Sequence, residues 1–95
     1  MAVLEVCTFT SSADLEVLRA ADARMQTDFS YQQPGLQRRT TARDDDGRWC
    51  VVTLWSSVDD AVAADEAARD DDIAKHFRSL VDDGSISVQR FTLLG

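Results

Sequence analysis

The 95 residues predict an α+β fold, a four-stranded antiparallel sheet with two helices on one face, in the order strand, helix, strand, strand, helix, strand. Three observations carry this. Three of the four strand stretches are rich in β-branched and aromatic residues, two intervening stretches bear apolar residues at helical spacing, and Asp44-Asp45-Asp46-Gly47 joins the middle strands with a tight-turn signature. A chain of this length leaves no room for a second core, so one domain covering residues 1–95 is expected.

The first strand spans Val3 to Thr10, where β-branched and aromatic side chains fit a pleated surface. Its alternation puts Leu4, Val6 and Thr8 on one face and Val3, Glu5, Cys7 and Phe9 on the other. Ser11-Ser12-Ala13-Asp14 has the hydroxyl-then-carboxylate form of a helix start, and Leu15, Leu18, Met25 and Phe29 continue as a stripe to about Tyr31. Asp22 falls in that stripe, either at a wet helix end, paired with an arginine, or as a pocket acid. Pro34-Gly35 ends this helix, because proline lacks the amide hydrogen and glycine tolerates positive φ.

Strand two runs from Leu36 to Ala42 and strand three from Arg48 to Trp55, with Asp-Gly suited to the turn between them. In strand three Cys50, Val52 and Leu54 share one face, and Trp49, Val51, Thr53 and Trp55 the other. Ser56-Ser57-Val58-Asp59-Asp60 repeats the cap signature, and the alanine-rich stretch to Ala68 favours a helix packed closely on a sheet. Arg69-Asp70-Asp71-Asp72 breaks or kinks it. Ile73, Phe77, Leu80 and Val81 restart the pattern, Gly84 is the expected C-terminal cap, and strand four covers about Ser85 to Leu94.

The two crossovers set strands one and three side by side in the centre, a ferredoxin-like arrangement. Turning the charge-free faces toward the helices sends Cys50, Val52 and Leu54 beneath them. Cys7 then points the other way, so no disulfide joins Cys7 and Cys50. Val3, Cys7, Phe9, Trp49, Val51 and Trp55 are left as an uncovered apolar patch, which predicts a homodimer pairing its open sheet faces around a cavity.

A net charge of −7 without a basic stripe excludes nucleic acid and anionic membrane surfaces as partners. No positively charged, apolar leader follows Met1, no apolar run approaches a membrane span, and two distant cysteines fit a reducing compartment; the expected location is the cytoplasm. No metal-ligand motif, phosphate-cradling loop or nucleophile elbow is present, so neither metal nor cofactor is expected.

Four segments carry a family resemblance: Gln33-Pro34-Gly35-Leu36, Asp46-Gly47-Arg48-Trp49, Val51-Val52-Thr53-Leu54-Trp55-Ser56 and the alanine-rich helix with Asp60-Ala61. Along nearly its whole length the chain resembles the antibiotic-biosynthesis-monooxygenase-like group of the dimeric α/β barrel superfamily. The resemblance implies a dimeric barrel and, among its activities, cofactor-independent oxygenation of polyketide aromatics. Heme-degrading members use a strand-one asparagine, a tryptophan in the second helix and an iron-binding histidine later in it. Here Glu5 replaces the asparagine and the tryptophan is missing, leaving only His76 near its place, so heme is not expected.

Glu5 and His76 are the candidate proton-transfer groups. Glu5 is either an acid or base in an apolar cavity or the partner of an arginine such as Arg90, and His76 either reaches a pocket mouth or lies at the surface. Phe9, Trp49 and Trp55 are candidates to hold a planar ring, or else they pack a core or interface. Cys7 is placed with them as a lining residue, a buried structural thiol more than a nucleophile. The resulting expectation is a homodimer binding a small apolar or aromatic molecule, as a cofactor-independent monooxygenase or as a non-catalytic binding or structural dimer.

Overall fold

A computed structural model describes residues 1–95. Strands β1 (Val3–Phe9), β2 (Leu36–Arg43), β3 (Trp49–Trp55) and β4 (Ser87–Thr92) form one antiparallel sheet in the order β2-β3-β1-β4. Helices α1 (Leu15–Arg24), α2 (Val58–Ala68) and α3 (Asp72–Ser79) cover one face, and the other face is bare. Both central strands run in full register, with Val3 opposite Trp55 and Phe9 opposite Trp49. The sheet stays open, with β2 and β4 as free edges, so a barrel exists only if a second chain completes one.

Local chemistry explains most of the boundaries. At α2 the Ser57 hydroxyl accepts from the Asp60 amide at 3.2 Å and donates to the Asp60 carboxylate at 3.0 Å, satisfying an orphan donor of the first turn. The acidic run after Ala68 both ends α2 and starts α3, since the Asp71 carboxylate accepts from the Ala74 amide at 2.9 Å. The expected serine cap of α1 is corrected: Asp14 caps it, accepting from the Glu16 amide at 3.3 Å. Ser11 instead donates to the Leu80 carbonyl, and Ser12 donates to Asp82 at 2.6 Å, tying the exit of β1 to the exit of α3.

Two further expectations change. The first helix does not continue evenly to Tyr31 but widens into a π-helical turn at Met25–Phe29 and tightens into a 3₁₀ turn at Ser30–Gln32. Gly84 does not cap α3; with φ of 77° it sits in the following turn, which the Ser85 amide closes on the Asp82 carbonyl at 3.2 Å.

The largest correction concerns the faces of the sheet. Val3, Glu5, Cys7, Phe9, Trp49, Val51, Thr53 and Trp55 look toward the helices, while Leu4, Val6, Thr8, Cys50, Val52 and Leu54 occupy the bare face. The charge-free face is therefore the uncovered one. The physical reason is the size of the side chains: the bulky aromatics need helices to bury them, and the polar groups on the same face have partners there. Cys7 and Cys50 are free and lie on opposite sides of the sheet, as their positions in adjacent strands require.

Beneath the helices the core divides. Phe9, Leu18, Trp49, Val51 and Val81 form one cluster, with Phe77 and Ile86 packed against it. Trp55, Ala61 and Ala64 form another under α2, where alanines let the helix approach the sheet. Space remains between them.

Candidate functional site

That space is a pocket of about 890 Å³, large enough for a small aromatic ligand. Its floor is the helix-facing side of the central strands, with Glu5, Cys7, Val51, Thr53 and Trp55, and its walls include Met25, Phe29 and Phe77. The π-helical turn contributes to this geometry. Widening the helix at Met25–Phe29 aims both ends of that segment at the pocket, a use to which such turns are often put.

Glu5 lies in the lining, and its side chain is mostly buried. The Arg90 guanidinium donates to its Oε2 at 2.7 Å from Nε and to Asp65 at 2.8 Å from Nη2, joining β1, β4 and α2 at one edge of the pocket. Both sequence alternatives for Glu5 thus hold together: it is a pocket carboxylate and an arginine partner. Its Oε1 has no protein partner. The flanking carboxylates raise the pKa of Arg90, Glu5 most of all through its hydrogen bond, so the guanidinium stays charged.

Burial pushes the Cys7 thiol up, and the nearby negative charge of Glu5 adds to the shift. The thiol form is favoured, which suits a lining residue and not a nucleophile. Phe9 and Trp55 also line the pocket. Trp55 is 5% exposed, and its indole Nε1 is buried without a hydrogen-bond partner. A buried donor left unpaired costs free energy on the order of 1–3 kcal/mol unless a ligand or water supplies an acceptor.

The remaining candidates lie elsewhere. Trp49 is buried outside the pocket, its ring parallel to that of Phe9 with centroids 6.3 Å apart and the Arg43 guanidinium 5.7 Å from its centre. His76 is exposed on α3 and does not line the pocket. Asp22 pairs with an arginine, but a buried one: Arg39 Nη2 donates to Asp22 Oδ1 at 2.8 Å, and the Thr41 hydroxyl donates to the same oxygen at 3.0 Å. Arg39 lines the pocket and was not apparent as a site residue from sequence. The polar run Gln37-Arg38-Arg39-Thr40-Thr41 has no hydrophobic period, and a register shift between Leu36 and Arg38 obscures which of its members face inward. No group of three or more His, Cys, Asp or Glu residues is placed to hold a metal ion, and no helix is long and apolar enough to cross a membrane.

Fold and pocket together define a ferredoxin-like α+β domain with a ligand-sized space between sheet and helices. No model of a known family matches the chain, and no curated protein does. Solved structures do. SnoaB, a cofactor-independent oxygenase from Streptomyces nogalater, superposes with a TM-score of 0.78 at 22% identity over 99% of this chain and 94% of its own. A candidate antibiotic biosynthesis monooxygenase from Bordetella bronchiseptica gives 0.79 at 16% identity over 98% and 97%. Rv0793 from Mycobacterium tuberculosis gives 0.74 at 16% identity over 100% and 97%. The chain has the fold of the antibiotic-biosynthesis-monooxygenase-like proteins, as its sequence motifs imply.

Proposed function

We propose that this protein is a homodimer in which each chain binds a planar, mainly apolar aromatic molecule between sheet and helices, and that it acts on that molecule as a cofactor-independent monooxygenase. One observation carries the reading: a pocket of about 890 Å³ that is lined largely by apolar side chains, yet holds the Glu5 carboxylate. The likeness in fold to SnoaB supports the reaction class.

In this reading Trp55 and Phe9 hold the ring, and Glu5 is the base. Its partner-free Oε1 takes a proton from a ring CH₂ activated by a neighbouring carbonyl. The carbanion passes one electron to O₂, the resulting pair combines to a peroxide on carbon, and loss of water leaves a ketone. The balance is CH₂ plus O₂ giving C=O plus H₂O, with O₂ the only oxidant. His76 has no part in it.

The dimer forms through the bare face. Leu4, Val6, Cys50, Val52 and Leu54 make a continuous apolar surface on the central strands, and Phe91 of β4, 49% exposed, extends it. A second reading is a non-catalytic binding dimer, favoured by the close hold of Arg90 on Glu5, which competes with proton transfer. Native mass spectrometry of freshly purified protein is expected to report a dimer carrying a small molecule. A ligand-free monomer would overturn the first reading. Oxygen uptake with an anthrone-type ring separates the two: under the monooxygenase reading Glu5→Gln slows it by about 100-fold or more while ligand retention is unchanged, and no uptake by the unaltered protein leaves the binding dimer.

A further inference from the structure

Arg39 is the only buried charged residue, with 4% of its side chain exposed. Its placement is over-determined. The side chain starts from β2 opposite Thr53, Asp22 of α1 takes one N–H at 2.8 Å, Thr41 and Gln26 accept from Nη1 at 3.3 and 3.4 Å, and the guanidinium lies 5.9 Å from the centre of the Phe77 ring. A guanidinium has five N–H donors in a rigid fork and no acceptor. Three are used here, and Nε and one hydrogen of Nη2 have no protein acceptor although the residue lines the pocket.

The other charges of the lining do not compete for this role. Glu5 and Asp65 are held by Arg90, and Arg69, Lys75, Arg78 and Asp83 are on exposed positions. The one fully buried nitrogen without an acceptor is the indole N–H of Trp55, two residues beyond Thr53 on the same face of β3, so the free N–H groups of Arg39 are the ones open to the pocket. Those Arg39 groups are donors. A ligand that takes the place of water beside them must bring an acceptor, and one bringing only hydrocarbon leaves them without a partner.

We propose that Arg39 is the specificity-determining residue of this pocket, donating to a ring-borne oxygen so that planar aromatic ketones are selected over the corresponding hydrocarbons. The proposal rests on the ligand-pocket reading above and assigns the residue that recognises the ring-borne oxygen. Asp22 acts as a positioning residue: it orients the fork and offsets its charge, so that a neutral carbonyl is bound without leaving a net buried charge.

The probes are 9-fluorenone and fluorene, which share a tricyclic skeleton and differ in the carbonyl. Binding is read by quenching of tryptophan fluorescence, and the hydrogen bond by the infrared carbonyl stretch of bound fluorenone. The unaltered protein is expected to bind fluorenone about tenfold more tightly than fluorene. Arg39→Met combined with Asp22→Asn removes the cation without stranding a carboxylate; the preference should fall to within about twofold of unity, because fluorenone loses its donor and fluorene no longer strands one. Asp22→Asn alone leaves the guanidinium charge unopposed and should move the carbonyl stretch to lower frequency than in the unaltered protein. This single variant decides the matter if the double variant does not fold, because a stretch that stays in place means that Arg39 is not the donor and overturns the proposal. Equal binding of both probes overturns it too, leaving the pocket reading intact. Binding of neither overturns both.

Discussion

A single methyl group at Gly35 meets two obstacles at once. The residue has φ of 85°, which L side chains adopt only under strain, and an added Cβ would collide with the carboxylate that completes the cap of α2, Asp60. Gly84 shares the positive φ but has open space where a Cβ would stand. Gly35→Ala is therefore expected to cost about 2–3 kcal/mol and Gly84→Ala about 1 kcal/mol. Thermal melts should fall by roughly 10–20 °C and 5 °C in turn, and equal shifts would mean that the contact with Asp60 relaxes freely. At this scale the sequence was most legible where residue type dictates backbone: Gly35 stands in its predicted turn, and Asp44-Gly47 closes its hairpin with the Arg48 amide on Asp44 at 2.8 Å. It was least legible at Arg39, whose burial depends on Asp22, seventeen residues away.

Between elements, the connection from β1 to α1 is fastened to the turn after α3 by Asp82. Its carboxylate accepts from the Thr10 hydroxyl at 2.9 Å, the Ser12 amide at 2.9 Å and the Ser12 hydroxyl at 2.6 Å. These bonds, with the Ser12 and Thr10 hydroxyls foremost, hold the Asp82 carboxyl below the usual carboxylate range. Because the folded-state pKa is the lower one, the clamp stabilises the fold fully above the unfolded value. Its contribution is lost as pH falls through the folded value, below about 4. Asp82→Asn should accordingly lower the denaturation midpoint near neutrality and lose that deficit in acid. A gap that persists at low pH would show that the carboxylate's charge is not what matters. The serines of this clamp read in sequence as a helix cap, since hydroxyl spacing alone does not distinguish a local amide from a carboxylate seventy residues on. The starts of α2 and the break before α3 were read correctly, because their bonds close within three residues.

For the molecule as a whole, strand order, helix placement and the break after Ala68 follow from sequence, and the orientation of the sheet does not. Both faces of β1 and β3 are apolar, so alternation names two sets of residues without saying which the helices cover. Glu5 made its own face look like the outer one, while in the fold Arg90 meets it inside. The same error put Glu5 and Cys7 on the open face, although they line a pocket beneath the helices. Paired substitutions check the corrected orientation. Val52→Glu, on the bare face, should give a folded monomer by light scattering with melting little changed, whereas Val51→Glu, 8% exposed beneath the helices, should unfold the chain. Unfolding by both, or by neither, would contradict the assignment of faces. The sheet also stands as a partition: Glu5, Cys7 and Trp55 lie behind their own chain's strands, on the side away from the bare face. Under the monooxygenase reading, the intact half of a mixed dimer with one Glu5→Gln copy should turn over at its full rate, so the specific activity of blended preparations should decline in simple proportion to the inactive fraction.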